Sequence, residues 1–377
     1  MTINTVPAQS ASRQPRGIVR LNDTVATGWT SWEVDSNTFY QADTFRVDFA
    51  ISALPADRDA AWFAAQRVVM VEILAGFPDD PERYGIADLD SLIYGRVDDV
   101  TFDPVARTIT LSGRDLTSQL IDARTIEKYR NLTASQIAEK IATAHGLTPK
   151  VTATKTKAGT YYQIDHVRVQ TGEQSEWDLL TWLAHEENMQ VYVQGKTLHF
   201  EPFAKPSDNP YLLKWQSPTD EQGFPVFNGT SLIFARNLTL AKDVIVEVRS
   251  WNAKNKKGFT KRAQATHNKN TVLSGAAQPY GEAQVYSYTF PGLTSDAALK
   301  KAQSLLAEIT QHEMVLDATL PADNLLTGRN VIQVVGTGTA FDQIYYPDSI
   351  RRAMSSDGGY TMTVHAKNHN PETVTSI

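Results

Sequence analysis

The chain has 377 residues, 41% of them hydrophobic and 21% charged, with no cysteine and a formal net charge of −6. This is globular composition at a length of two or three domains, and it excludes thiol nucleophiles, cysteine-ligated metals and disulfide frameworks. The balance of 36 basic against 42 acidic residues argues against a general nucleic-acid-binding surface. No apolar run approaches the roughly 18 to 20 residues of a spanning helix, so no membrane insertion is expected.

Residues 1–17 carry Arg13 and Arg16 but lack the apolar block of a secretory signal, and read as a flexible arm. Phe45, Val47, Phe49 and Ile51 alternate with Arg46, Asp48 and Ala50, the period of a half-buried strand. Asp57 to Gln66 reads as a short helix, with Asp57 and Asp59 in its first turn. Val100 and Phe102, the turn Asp103-Pro104-Val105-Ala106, then Ile109 and Leu111 read as a hairpin. Residues 18–115 are therefore expected to form a β domain.

The pattern changes over 116–205, which is expected to be a small α/β region. Thr133 and Gln136 make a capping box, Ile137 and Ile141 share a face, and Gly146 supplies a left-handed stop. Ser175 starts a second helix, with Trp177, Leu180 and Ala184 on one side, ending near Asn188. Val191, Val193, Gln194-Gly195 and Thr197 to Phe200 read as a tight hairpin. Residues 206–377 return to β, with alternating runs at Val244 to Val248, Val285 to Phe290, Leu316 to Leu320, Val331 to Val335 and Tyr360 to Ala366. One helix interrupts them, capped by Thr294 and striped by Leu299, Ala302, Leu305, Leu306 and Ile309. The fold class is thus α+β, mainly β.

Catalytic signatures are weak. His365 and His369 in HAKNH lie at a strand end and in a polar tail, not on a helix that would aim both at zinc. His185-Glu186-Glu187 lacks the second histidine of a zincin and reads as a solvated helix end. Gly336-Thr337-Gly338 lacks the third glycine of a dinucleotide loop and reads as a strand-to-strand connection. The adjacent carboxylates Asp79/Asp80 and Asp98/Asp99 could serve a glycosidase, but read as solvated surface. No cofactor or metal is expected, and no catalytic residue is assigned.

Charge is more informative. Asp79 to Asp103 holds eight acids against Arg83 and Arg96, whereas Lys254, Lys256, Lys257, Lys261, Arg262 and Lys269 lie in a stretch without any acid. One reading is a solvated hairpin tip over Trp251 to Phe259. The other is complementarity between copies, with Asp98 and Asp99 facing Lys254, Lys256, Lys257, Lys261 and Arg262 across a subunit interface.

Two phrases carry a resemblance. Tyr94-Gly-Arg-Val-Asp98, Ile109 through Thr117 (ITLSGRDLT) and the capped helix NLTASQIAEKIATAHGL are similar to the baseplate hub proteins of contractile-tailed bacteriophages, the late control protein D group. GEQSEWDLLTWLAHEENMQVYVQGKTLHFEP, Gly172 to Pro202, resembles the helix-then-hairpin segment shared by that group and the first part of the type VI secretion spike protein VgrG. In physical terms Gly113 is expected at a turn, Arg114 and Asp115 as charges that pair locally, and Leu116 and Leu120 as the start of a buried turn. Trp177, Leu180 and Leu183 are expected to pack over the hairpin.

The resemblance implies two tube-type β-barrels, 18–115 and 206–377, flanking the α/β insert. It implies a non-enzymatic homotrimer, a pseudo-hexameric ring in the virion tail baseplate, assembled in the host cytoplasm. The ring would join the hexameric tail tube, or tube-initiator proteins, to the trimeric central spike and touch other baseplate proteins. DNA would pass through the lumen without specific binding. The chain stops at Ile377, so the spike is expected on another polypeptide. Two alternatives stay open: a tail-associated cell-wall hydrolase using acids of 79–103, and a VgrG-like secretion component.

Overall fold

Alternation in the sequence becomes alternation in burial. In the computed structural model, which describes residues 14–38, 40–55, 57–124, 129, 131–155, 175–187, 189–202, 210–218, 223–236, 244–252, 257–266, 284–310, 314–368 and 374–376, the chain divides into two compact units. The first combines the chain up to Lys205 with Leu320–Arg329 and Asp348–Thr363. Its strands are β1 (Arg16–Leu21), β2 (Thr24–Ala26), β3 (Trp29–Asn37), β4 (Thr44–Ala50), β5 (Met70–Gly76), β6 (Asp90–Asp103), β7 (Thr108–Asp115), β8 (Thr148–Val151), β9 (Met189–Gln194) and β10 (Thr197–Pro202). β1 starts inside the expected arm; residues 1–13 of that arm lie outside the described residues.

An antiparallel sheet runs in the order β3-β4-β7-β6-β5-β1-β2, and residues 349–355 pair with the outer edge of β3. Val19, Leu21, Val34, Val47, Phe49, Val71, Ile73, Ile109 and Leu111 supply its fully buried face. The expected helix at 57–66 is α1 (Ala60–Ala65), where the Asp59 side chain accepts from the Trp62 N–H at 2.9 Å. Phe63 of α1 is buried against Phe49.

Gly113 stands elsewhere than expected. It lies within β7, opposite Val97, where β6 carries a one-residue bulge. A Cβ there would meet the Arg96 carbonyl oxygen at 2.1 Å and Phe45 at 2.7 Å, so close backbone approach, not a turn, requires glycine. Arg114 and Asp115 find separate nearby partners, because adjacent strand residues point to opposite faces. Arg114 faces out to Asp98, and Asp115 is buried.

The insert is α2 (Thr117–Asp122), α3 (Ala134–Ala144), α4 (Glu176–Glu186) and a three-stranded sheet in the order β8-β10-β9, with β8 parallel to β10. Both capping boxes form: Thr133 with Gln136 and Ser175 with Asp178 exchange side-chain and backbone hydrogen bonds. Gly146 takes φ +68° after α3. Trp177, Leu180 and Leu183 pack with Val191, Val193, Leu198 and Phe200 as expected, and Ile137 and Ile141 complete that core. Leu120 is fully buried there. The Trp177 indole N–H donates to the Tyr40 carbonyl at 2.7 Å, and the Tyr40 hydroxyl to the Met189 carbonyl at 2.9 Å, fastening helix and hairpin to the loop before β4. Burial pushes the Tyr40 hydroxyl up to about 12.

The second unit comprises Pro206–Thr319, Asn330–Pro347 and Val364–Ile377. It draws on β11 (Tyr211–Gln216), β12 (Val226–Phe227), β13 (Ser231–Arg236), β14 (Val244–Asn252), β15 (Lys257–Thr266), β16 (Gln284–Thr289), β17 (Met314–Pro321), β18 (Ile332–Val335), β19 (Ile344–Ser355), β20 (Gly359–Lys367) and β21 (Val374–Ser376), with β17, β19 and β20 divided between the units. β14 sits between β16 and β15 in a four-stranded sheet closed by β21. Val244, Val246 and Val248 bury one face of it against Ala298, Ala302 and Leu306 of α5 (Ser295–Thr310), with Leu305 and Ile309 partly buried. The expected helix and its stripe are present, and the Thr294 carbonyl takes its first hydrogen bond from Ala298.

Candidate assembly interface

Asp98 is the extra residue of the β6 bulge, because Val97 pairs with Gly113 and Asp99 with Ser112. The bulge turns its carboxylate to Arg114, which donates through Nε at 2.6 Å and Nη2 at 3.2 Å. Those hydrogen bonds hold the Arg114 guanidinium above its ordinary range. Arg96 and Arg114 also reach Asp122 of α2, at 2.9 and 3.6 Å. Asp122 therefore ties the insert to the sheet, while Asp98 has its partners within the sheet. Asp99 is exposed beside it.

Of the basic set, Lys254 and Lys256 lie outside the described residues. Lys257 opens β15, Lys261 stands opposite Val248, and Arg262 stands opposite Glu247. The expected hairpin is thus β14–β15. Glu247 is buried and accepts from Arg249 at 3.2 Å and Arg262 at 2.5 Å, which holds its carboxyl below the usual range. Arg262 has an intrachain counterion. The acidic pair lies in the first unit and Lys257, Lys261 and Arg262 in the second.

Among the described residues the candidate histidines do not converge on a catalytic site. His365 Nδ1 lies 2.7 Å from Asp317 Oδ1, and His369 is outside the described residues. His185 and Glu186 are exposed at the end of α4. Among the described residues no three His, Asp or Glu side chains gather as a metal site. No helix there is long and apolar enough to cross a membrane.

Gly336-Thr337-Gly338 is a loop between β18 and β19, as expected, and its backbone cradle is filled by the chain's own carboxylate. Asp342 accepts from the N–H groups of Gly336, Thr337 and Gly338 at 3.3, 3.0 and 2.8 Å, and from the Thr337 hydroxyl at 2.7 Å. Although partial burial raises its pKa, these bonds hold it below the usual carboxylate range.

A cavity of about 150 Å³ is lined by Ser31, Glu33, Arg46, Asp48, Ser355 and Thr361, with none of the acids of 79–103 on its wall. Asp48 accepts from Thr110, Arg46 and Ser31, and these bonds outweigh burial and keep it ionised.

Two polar clusters carry no local sequence signal. Asp115 is buried and accepts from the Thr117 N–H and hydroxyl at 3.0 and 2.9 Å, while half-buried Asp43 accepts from the Asn37 N–H at 2.7 Å. Burial pushes both carboxyls up, and for Asp115 the neighbouring Asp43 adds to the rise. The second cluster stacks Arg329 on Tyr192, 3.5 Å from the ring centroid, and Tyr192 on His199 at 4.5 Å. The Tyr192 hydroxyl donates to Glu201 at 2.5 Å. Desolvation, then the Arg329 charge, lowers the His199 pKa, so the ring stays neutral. Asp43 meets Asp115, and Arg329 meets Tyr192, from distant parts of the chain, which hides both clusters from local pattern.

No family model matches the chain, and no curated protein matches it in sequence. Solved structures do. A tail protein from Neisseria meningitidis MC58 superposes with a TM-score of 0.67 at 15% identity, covering 95% of this chain and 98% of that one. The 43 kDa tail protein of prophage MuSo2 from Shewanella oneidensis gives 0.63 at 15% identity, over 96% and 100%. An Escherichia coli type VI secretion component, itself described as similar to the T4 bacteriophage tail proteins gp27 and gp5, gives 0.52 at 11% identity, over 95% and 79%. The chain has the mainly β fold that these tail and secretion proteins share.

Proposed function

We propose that this chain is a structural, non-enzymatic hub protein of a tail baseplate, a virion component that assembles as a homotrimer. The carrying observation is end-to-end agreement with the Neisseria tail protein, over 95% of this chain and 98% of that one. In this reading the β regions 18–115 and 206–377 are the two tube-type barrels flanking the insert 116–205, and three copies place six barrels in a pseudo-sixfold ring. One face of the ring meets the tube and the other the central spike. DNA passes through the lumen, and a chain of net charge −6 offers that polyanion no general attraction. His365, Asp98 and Asp342 are held in bonds within the chain, which supports a scaffold role.

Solution mass by light scattering tests the proposal. The expected species has three times the chain mass of 41.8 kDa and a central hole in averaged electron micrographs. A mass that stays at 41.8 kDa across concentration, with or without the neighbouring spike protein, overturns it.

A further inference from the structure

The sheet of the first unit carries an apolar face farther than the described residues cover it. Facing rows cross β4, β7 and β6: Phe49, Ile109 and Phe102 in one, Val47, Leu111 and Val100 in the next. In each row the first two residues are fully buried, whereas Phe102 and Val100 are 50% and 41% exposed. The same half of β6 has an open backbone edge. Its pairing with β5 ends at Arg96, Val97 N–H donates to the Val69 carbonyl at 2.9 Å, and among the described residues Asp98–Asp103 bond to β7 alone. An uncovered apolar row beside an unpaired strand edge is what natural sheets avoid unless another chain completes them.

Charge selects the occupant. The stretch ending here, Asp79 to Asp103, carries eight acids and two arginines, and Asp99 and Asp103 lie on the open half. From Val248 to Gly281 the same chain has no acid and seven lysines and arginines. That stretch holds β15 and the second half of β14, with Arg249 and Arg262 paired to Glu247 just before it; there Trp251 is 54% exposed and lies over Gly258, where a Cβ would come within 3.3 Å of the ring. An exposed tryptophan on a segment whose sequence is rich in lysine is the complement of a strand edge with an apolar row on one face and Asp99 and Asp103 on the other.

We infer that the open half of β6 is an interface that receives the basic β14–β15 hairpin of a second copy of this chain. The inference rests on the self-association proposed above and names its contact. Two different surfaces meet, so the contact is head-to-tail and generates a ring where the rotation closes.

The absence of cysteine makes the test clean. Thr101→Cys and Thr260→Cys, both at exposed positions, are made in separately tagged chains, mixed and treated with a bismaleimide. Mixed-tag covalent dimers are expected from the pair and not from Thr101→Cys mixed with itself; a double variant that links only within one chain overturns the inference. Phe102→Asp is expected to weaken self-association about thirtyfold while leaving the far-ultraviolet circular dichroism spectrum of the folded chain unchanged. A trimer that persists in Phe102→Asp, with no mixed-tag link, places the contact elsewhere and leaves the hub reading standing. A chain that is monomeric throughout overturns both.

Discussion

Asp43 and Asp115 show how a single residue sets a pH dependence. Both carboxyls titrate higher in the folded chain than in the unfolded one, because burial disfavours the charged form. Above the unfolded value the folded state therefore binds more protons, and stability falls as pH rises from about 4 towards the folded pKa. Asp43→Asn and Asp115→Asn cannot ionise. They are expected to raise stability at pH 7 by on the order of 1–2 kcal/mol, with little gain near pH 4; thermal melts across that range check the sign. Gly113→Ala acts through space instead. A methyl 2.1 Å from the Arg96 carbonyl and 2.7 Å from Phe45 must push the bulge apart, at a cost of roughly 1–3 kcal/mol in denaturant unfolding.

At the scale of elements, the α4–hairpin unit shares one core with α2 and α3. Leu180→Ala removes a fully buried side chain from it and is expected to cost about 2–5 kcal/mol, with amide exchange accelerated over α4, β9 and β10 before the rest of the first unit. This unit was legible in sequence because caps, stripe and turn all lie within some thirty residues. So were α5 and the strands that alternate cleanly. β19 was not: Arg351 and Arg352 interrupt its apolar run, yet Arg352 is buried, donating to the Asp323 and Leu326 carbonyls. The Asp98–Arg114 pair was equally hidden, since sixteen residues separate its members and only the β6–β7 register with its bulge brings them together. The charge blocks were visible; which of their members already have partners in the same chain was not.

At the scale of the molecule, the mass of the proposed trimer and its salt dependence belong together. An interface joined by an acidic strand edge and a basic hairpin should weaken as salt rises, because exposed charges are screened within about 10 Å at 0.1 M ionic strength, while its apolar row keeps association from vanishing. Outward pairs such as Arg351 with Asp35, at 2.7 and 2.9 Å, are exposed and add little by themselves. Their position says more than their energy.

Those two residues are 316 apart in sequence, and their strands are neighbours in one sheet. At a synthesis rate of about 5–20 residues per second, a nascent chain waits on the order of 15–60 s between making β3 and making the strand that covers its edge. For that interval β3 is an open template for any other unfinished copy on the same message. A chain released before Asp348 would keep that edge for good, so incomplete products of this gene should accumulate as aggregates rather than as a soluble first unit.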